Sequence, residues 1–445
     1  MKKTKIICSI GPSSCNVETM TKMVENGMNV ARINFSHASL EEKQEVVSVV
    51  KKVREITGQN VAVLYDTKGP EFRNGMLENG EIVLEEGKTI RVLKENVLGT
   101  NEYFSVNHAS AIDSLNIGNY ILLENGLMKL EVISKEEDGV TCKIIIGGKL
   151  GNKKSLSVPG VKLDIPFISD YDYEDIVYAC QNDADFLALS FVSTKEDVLE
   201  VREILKKYNR EDLKIISKIE SATGIDNIKE IVSVSDGIMV ARGDLGVEAP
   251  MDQLPYLQRL IINECHKQGK FSIVATEMLE SMKKNSRPTR AEVSDIANAV
   301  NNGTDAVMLS GETTTGKYPA EAVKYMASVC EETEKYLTYN LDLEYSERTI
   351  GGAIATSVVE TTNLLDAKLI VAATMSGTSA IKVSNLRPRS LILATCPSSN
   401  VARSLALNWG VYPVITKIYD TTDEIIDDAK EKASNFIKLN KDDII

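Results

Sequence analysis

Lys218-Ile219-Glu220 puts a lysine and a carboxylate two residues apart, at the close of a β-branched run over Lys214–Lys218. Residues two apart in an extended chain point to the same face, so the ammonium and the carboxylate would emerge side by side. A second carboxylate, Asp244, lies in the segment Val240-Ala241-Arg242-Gly243-Asp244-Leu245-Gly246, which ends the next such run. Two carboxylates that leave room for water and substrate oxygens suit Mg²⁺. A lysine beside them could stabilise negative charge developing on a transferring group. Arg242 offers a fork for a carboxylate or phosphate, and the glycines let backbone approach a ligand. Taken alone, the tripeptide reads more readily as a buried ion pair that only fixes a strand. The Arg242–Asp244 segment reads equally as a tight turn with a surface ion pair.

More polar residues stand where other β-branched runs end. Arg32, Asn34 and Ser36 follow one of them. Asp66, Thr67 and Lys68, then Glu71 and Arg73, follow another, and Thr276, Ser310 and Glu312 end two more. Five of these groups are basic: Arg32, Lys68, Arg73, Lys218 and Arg242. The chain as a whole is acidic, with 64 Asp and Glu against 51 Lys and Arg and a net charge of −13. That balance disfavours nucleic acid or an anionic membrane as the main partner. A local basic cluster in such a chain implies a small anionic ligand, with solvated surface charge as the alternative.

The elements that must position these groups follow a simple grammar. Short strands alternate with amphipathic helices: Lys5–Ile10, Val30–Asn34 and Val61–Asp66, with a helix over Leu40–Thr57 closed by Gly58. The alternation breaks after Gly69-Pro70. From there to about Pro166, pieces such as Glu81–Leu84, Thr89–Leu93, Tyr120–Leu123 and Cys142–Ile146 are short and separated by Gly, Asn and Asp, which predicts an all-β insertion. Five more strands follow, at Phe186–Ser190, Lys214–Lys218, Gly237–Ala241, Phe271–Thr276 and Ala306–Ser310. A helix is predicted over Leu254–Gln268, and Thr289 with Glu292 forms a capping box.

Eight strands over the two pieces 1–69 and 168–340, about 240 residues, predict a (β/α)₈ TIM barrel, which takes ~250. An open sheet is the alternative. Residues 70–167 would form the inserted β lid, and 345–445 a C-terminal α/β domain with strands at Leu369–Ala373, Leu391–Thr395 and Val411–Ile415. In a (β/α)₈ enzyme the site lies at the carboxyl ends of the strands, which is where the polar residues gather.

Other features point less far. Gly311 to Lys317-Tyr318 nearly fits the phosphate-cradling G-x-x-x-x-G-K-[ST] loop. Tyr318 stands where the metal-binding hydroxyl belongs and Pro319 follows, so the segment reads as a βα loop. Thr374, Ser376, Gly377, Thr378 and Ser379 follow a strand and open a helix, which suits an anion or an ordinary capped turn. His37, His108 and His266 lack metal-ligand spacing. Seven scattered cysteines without a C-x-x-C pair suggest a reducing compartment. With no signal-peptide pattern and no apolar run near ~18 residues, the cytoplasm is expected.

Taken together, Asn34-Phe35-Ser36-His37, Asp66 to Arg73, Ile216-Ser217-Lys218-Ile219-Glu220, Met239–Gly246, Arg287-Pro288-Thr289-Arg290-Ala291-Glu292 and Met308-Leu309-Ser310-Gly311-Glu312 resemble pyruvate kinase, in order and over essentially the whole chain. The resemblance implies phosphoryl transfer from phosphoenolpyruvate to ADP, giving pyruvate and ATP, with Mg²⁺ (or Mn²⁺) and K⁺. It implies Glu220 and Asp244 as Mg²⁺ ligands, and Asn34, Ser36, Asp66 and Thr67 as K⁺ ligands. Lys218 would stabilise the phosphoryl group and the enolate, while Arg32 and Arg73 would hold phosphates. Ala241, Arg242, Gly243, Asp244 and Thr276 would grip the pyruvate end. Thr276, with Ser310 and Glu312, would serve enolate protonation. His37, Lys68 and Glu71 would support the site, Glu71 being the residue type that goes with K⁺ dependence.

The insertion would be a mobile lid, and Thr374–Ser379 an effector loop for a sugar phosphate or nucleotide. A homotetramer is implied. The sequence departs from the family pattern at Glu277, at Thr223 and at Val192-Ser193-Thr194-Lys195, which puts the nucleotide-phosphate contact there in doubt. Asp442–Ile445 looks like the start of a strand, which the family continues with a further strand and a Gly-rich loop. Two other classes stay open on the residues themselves: a metal-dependent lyase or aldolase on pyruvate-like enolates, and a non-catalytic sugar-phosphate sensor.

Overall fold

Eight β-branched runs pair in parallel and close on themselves in the computed structural model, which describes residues 1–36, 38–339 and 348–445. They are β1 (Lys5–Ser9), β2 (Val30–Asn34), β3 (Ala62–Asp66), β4 (Phe186–Leu189), β5 (Lys214–Ile219), β6 (Gly237–Ala241), β7 (Phe271–Ala275) and β8 (Ala306–Leu309). β8 returns to β1, with Ile7 beside Met308. An open sheet would leave two unpaired edges, and this ring has none.

The period-2 alternation of each strand builds two layers. Ile7, Val30, Leu64, Ala188, Ile216, Met239, Ile273 and Met308 form one buried cluster that fills the barrel. Their neighbours Ile6, Cys8, Ala31, Val63, Leu187 and Ile215 belong to a larger cluster under the surrounding helices. Ala406 and Leu407 of the C-terminal segment join the inner cluster.

Local signals set the helix ends. Ser39 and Glu42 form a reciprocal capping box for Leu40–Thr57, and Gly58 ends that helix at φ 65°, a left-handed turn that favours glycine. Thr289 and Glu292 do the same for Arg290–Asn301. Ser169 and Asp172 cap Asp170–Gln181, the helix with which the barrel resumes after the insertion.

The insertion is a six-stranded, largely antiparallel sheet with a two-stranded companion. It has its own core, including Ile90, Phe104, Ile121 and Leu130. The Cys142–Ile146 piece belongs to a longer strand, Gly139–Ile146, paired with Met128–Glu136.

The C-terminal segment is a three-stranded parallel sheet, Leu369–Ala373, Leu391–Cys396 and Val411–Ile415, with helices packed against it. It is tied to the barrel by Arg403 with Asp185 (2.8 Å) and Arg387 with Asp305 (2.9 Å). Asp442–Ile445 forms no strand. A single backbone bond joins it to the sheet, the Lys368 N–H donating to the Ile444 carbonyl at 2.9 Å. The domain limits drawn at 340 and 345 lie outside the described residues, as does His37.

Candidate active site

The strands end together, so residues far apart in sequence share one opening. A cavity of about 490 Å³ at this mouth is lined by Arg32, Asn34 and Ser36 on and just after β2, by Thr67, Lys68, Glu71 and Arg73 after β3, and by Lys218 and Glu220 at the end of β5. Ala241 at the end of β6, Asp244 beyond it, Thr276 after β7 and Ser310 after β8 complete the ring. Met239, Ala275 and Met308 form its apolar floor.

Lys218 is the hub. Its Nζ lies 3.1 Å from Glu220 Oε1 and 3.2 Å from Asp66 Oδ1, and donates to Ser190 Oγ at 2.7 Å. Arg32 reaches Asp66 from the other side at 2.7 Å and also binds Ser9 Oγ. Burial opposes every charge in this cluster. For Asp66 the effect of burial is outweighed by Lys218 and Arg32, and its pKa falls below the ordinary value. For Lys218, Asp66 and Glu220 likewise outweigh burial and raise the pKa. Glu220 differs. Its burial wins over a lysine it must share, Asp244 adds a like charge, and its pKa is pushed up to about 7. The site therefore carries one carboxylate that is fully compensated and one that is not.

Not every group expected at the mouth faces it. The Arg242 guanidinium pairs with Asp295 at 2.8 Å and donates to the Ala275 and Thr276 carbonyls, outside the cavity lining. Its fork is used to brace the β6 and β7 ends. The Gly243 N–H donates to Thr276 Oγ1 at 2.9 Å, and Thr276 adopts φ 73°, an uncommon backbone for a β-branched residue. Glu312 is buried and accepts from the Leu279 and Ser310 N–H groups, so it shapes the Ser310 loop. Glu277 is exposed and outside the lining. Lys195 pairs with Glu230 on the surface, while the Ser193 and Thr194 N–H groups cap onto Asp197.

Thr374 to Ser379 joins the strand Leu369–Ala373 of the C-terminal sheet to the helix Thr378–Asn385 and is outside the lining of the mouth. Thr374 Oγ1 accepts the Gly377 N–H at 3.0 Å, and Ser376 and Thr378 hydroxyls meet at 2.8 Å before the helix Thr378–Asn385.

Comparison with known proteins settles the family. A model described as pyruvate kinase, barrel domain, matches residues 1–323, and one described as pyruvate kinase, alpha/beta domain, matches 352–445. The chain is 46% identical to a pyruvate kinase of Staphylococcus haemolyticus over all of its own length and 77% of that protein. It is 45% identical to a pyruvate kinase of Geobacillus stearothermophilus, over 97% and 75% respectively. A solved pyruvate kinase from Cryptosporidium parvum superposes with a TM-score of 0.95 at 38% identity, covering 98% of this chain and 91% of that one. The chain belongs to the pyruvate kinase family. Membership removes the lyase and sensor alternatives.

Pyruvate kinases generally need Mg²⁺ and K⁺, and the donors here fit both. Glu220, with Asp244 close enough to raise its pKa, is a carboxylate pair short of positive charge. Among the described residues no three Asp, Glu, His or Cys gather into a closed metal cage. An open pair completed by water and substrate oxygens suits Mg²⁺. Asn34, Ser36 and Thr67 line the mouth with neutral oxygens, while Asp66 is fully buried, outside the lining, with its charge met by Arg32 and Lys218. Neutral oxygens of this kind suit a weakly charged cation better than a divalent one.

Two features at the mouth have no counterpart in the sequence motifs. The lid brings Lys154, Glu124, Asn125 and Ser155 into the cavity lining, with Lys154 paired to Glu124 at 2.6 Å. A lysine doublet in a Gly-Asn turn, Lys153-Lys154, was the available signal. A second cavity of about 640 Å³ adjoins the first through Arg32, Asn34 and Ser310, with Gly11, Pro12, Cys15, Glu45 and Thr315 among its walls. No local motif marks it.

Proposed function

We propose that this barrel mouth transfers the phosphoryl group of phosphoenolpyruvate to ADP, giving pyruvate and ATP, the last step of glycolysis. The observation that carries the reading is Lys218, held between Asp66 and Glu220 at the carboxyl ends of β3 and β5.

Glu220 and Asp244 would hold Mg²⁺, which when bound supplies positive charge to phosphate and enolate oxygens. Asn34, Ser36, Asp66 and Thr67 would hold K⁺. Lys218 stabilises charge on the phosphoryl group in flight and on the enolate oxygen left behind. Its raised pKa keeps it protonated for that task. Arg32 and Arg73 bind phosphate; Glu71 holds Arg73 by a two-point contact at 2.7 and 2.9 Å, and Lys68 pairs with Glu71 at 3.4 Å. Ala241 and Thr276 receive the pyruvate end, with Arg242 and Gly243 fixing the Thr276 turn. Thr276 and Ser310 serve protonation of the enolate carbon, and Glu312 orients Ser310.

The second cavity receives the nucleoside of ADP, and Lys154 its phosphates. Residues 70–167 act as the lid over the barrel of 1–69 and 168–340. In the C-terminal unit, Thr374, Ser376, Gly377, Thr378 and Ser379 would bind an effector phosphate. The assembly is a homotetramer in the cytoplasm. No described helix is long and apolar enough to cross a membrane, which accords with that placement. A coupled assay for pyruvate from phosphoenolpyruvate and ADP, with and without Mg²⁺ and K⁺, tests the reading. No pyruvate formation with both cations present would sink it.

A further inference from the structure

The four residues assigned to K⁺ come from two strand ends, Asn34 and Ser36 at and beyond the end of β2, Asp66 and Thr67 at and beyond the end of β3. Neither end is held by its own strand partner alone. Both are gripped by one helix, Asp170–Gln181, which begins where the chain leaves the lid.

The grip on the β2 end runs through Phe35, the residue between Asn34 and Ser36. Its carbonyl accepts from Tyr171 Oη at 3.4 Å. Its ring is fully buried, stacks on Tyr65 with centroids 4.7 Å apart, and meets the Tyr178 edge at 6.0 Å. The Lys43 ammonium sits 3.9 Å from the Phe35 ring centre, a cation–π contact. That ammonium is fixed by Asp175 of the same helix at 2.7 Å, with both side chains under 10% exposed. The grip on the β3 end is Asp172. Its Oδ1 accepts the Gly69 N–H at 2.9 Å, two residues after Thr67, while its Oδ2 caps Ser169. Gly69 is also where the chain departs for the lid, so this one bond clasps the lid's two connecting strands together.

A buried ion pair is weak support for stability, since an apolar pair of similar volume often does as well. This one also leaves Asp175 Oδ2 buried without a hydrogen bond. What the charges do secure is one orientation of Phe35 and hence of its neighbours.

Resting on the K⁺ assignment above, we infer that Lys43, Asp175 and Tyr171 are positioning residues for the monovalent-cation pocket. They set its affinity through Phe35, and Asp172 ties the same helix to the lid hinge. None of them touches substrate.

Cation binding is read apart from turnover, by the rise in melting temperature as potassium replaces tetramethylammonium at constant ionic strength. The activation constants for K⁺ and Mg²⁺ are measured alongside. In K43M/D175N the half-saturating K⁺ should rise about tenfold by both readouts, the scale seen when groups behind metal ligands are removed. Turnover at saturating K⁺ and the Mg²⁺ constant should stay within twofold, and K43R, which keeps the charge, should keep the wild-type value. Y171F loses only one hydrogen bond, so it keeps the test open should the double variant fail to fold. It should raise the constant by at least twofold. Variants with lowered melting temperature and an unmoved K⁺ constant would overturn the inference while leaving the K⁺ assignment standing. A wild-type protein that responds equally to potassium and tetramethylammonium would overturn both.

Discussion

Lys218 reaches Asp66 across an intervening strand. Lys218 lies on β5 and Asp66 ends β3. Ser190, just after β4, bridges them by accepting from Lys218 and donating to Asp66 at 3.3 Å. The lysine is thus oriented by two strands besides its own, and its partners determine what removing it would do.

Lys218→Met should lower turnover by about 10²–10³-fold, the range for losing a donor aimed at developing charge. Asp66 would keep Arg32, so the fold and Mg²⁺ binding should survive. The coupled assay, circular dichroism and an Mg²⁺ titration measure the three parts. Near-normal turnover would remove Lys218 from the chemistry.

Glu220→Gln keeps the acceptor for the Phe191 N–H, 2.6 Å away, but removes half of the carboxylate pair. The Mg²⁺ activation constant should rise by at least about tenfold, as for other losses at a metal site. Turnover should also collapse when K⁺ is replaced by a non-activating cation. Full activity without K⁺ would leave Asn34, Ser36 and Thr67 without the role assigned to them.

Gly69→Ala tests the hinge. Gly69 has φ +74°, and a Cβ there would lie 2.8 Å from Ser190 Cβ. The strain and the clash should destabilise the protein by about 1–3 kcal/mol. Because Ser190 bears on Lys218, turnover should fall as well. A variant with wild-type melting temperature and activity would show that this hinge gives way freely.

Thr315→Trp places a large ring at the exposed rim of the second cavity. The KM for ADP should rise at least about fivefold, roughly 1 kcal/mol, with the KM for phosphoenolpyruvate unchanged. Equal effects on both substrates would argue that the nucleoside binds elsewhere.

His266 supplies the pH dependence. It lies between the barrel and the C-terminal unit, 2.5 Å from Arg387 Nη2, with Asp305 nearby. Burial first, then Arg387, lower its pKa from 6.5 to about 4. The unfolded chain therefore binds the proton first as pH falls. The stabilisation from a neutral His266 is complete above about pH 6.5 and is lost between there and about pH 4, by up to about 3 kcal/mol. Melting temperature against pH should be shallower over this window in His266→Gln. Identical slopes would mean that other groups govern acid sensitivity.

Much of this was legible beforehand. Helix Leu40–Thr57 carries its start and stop in Ser39, Glu42 and Gly58, and strands such as Val30–Asn34 and Gly237–Ala241 stand out as apolar, β-branched-containing runs. Those signals are local, so sequence contains them. The Lys218-Ile219-Glu220 tripeptide was legible as chemistry for the same reason: period 2 alone sends both side chains one way. Family resemblance then narrowed the chemistry to one reaction.

Where a side chain is spent is not local. Arg242 looked like an anion fork, yet Asp295, 53 positions on, claims its guanidinium. Glu312 turned to backbone N–H groups, and Lys154 arrived from the lid. The sequence by itself determined the eight strands, the insertion and the kind of charge available at each strand end. Only the tertiary structure decided that Glu220 lies undercompensated while Asp66 does not. That difference depends on how one buried lysine is divided between two carboxylates, and burial and distance exist only once the barrel has closed.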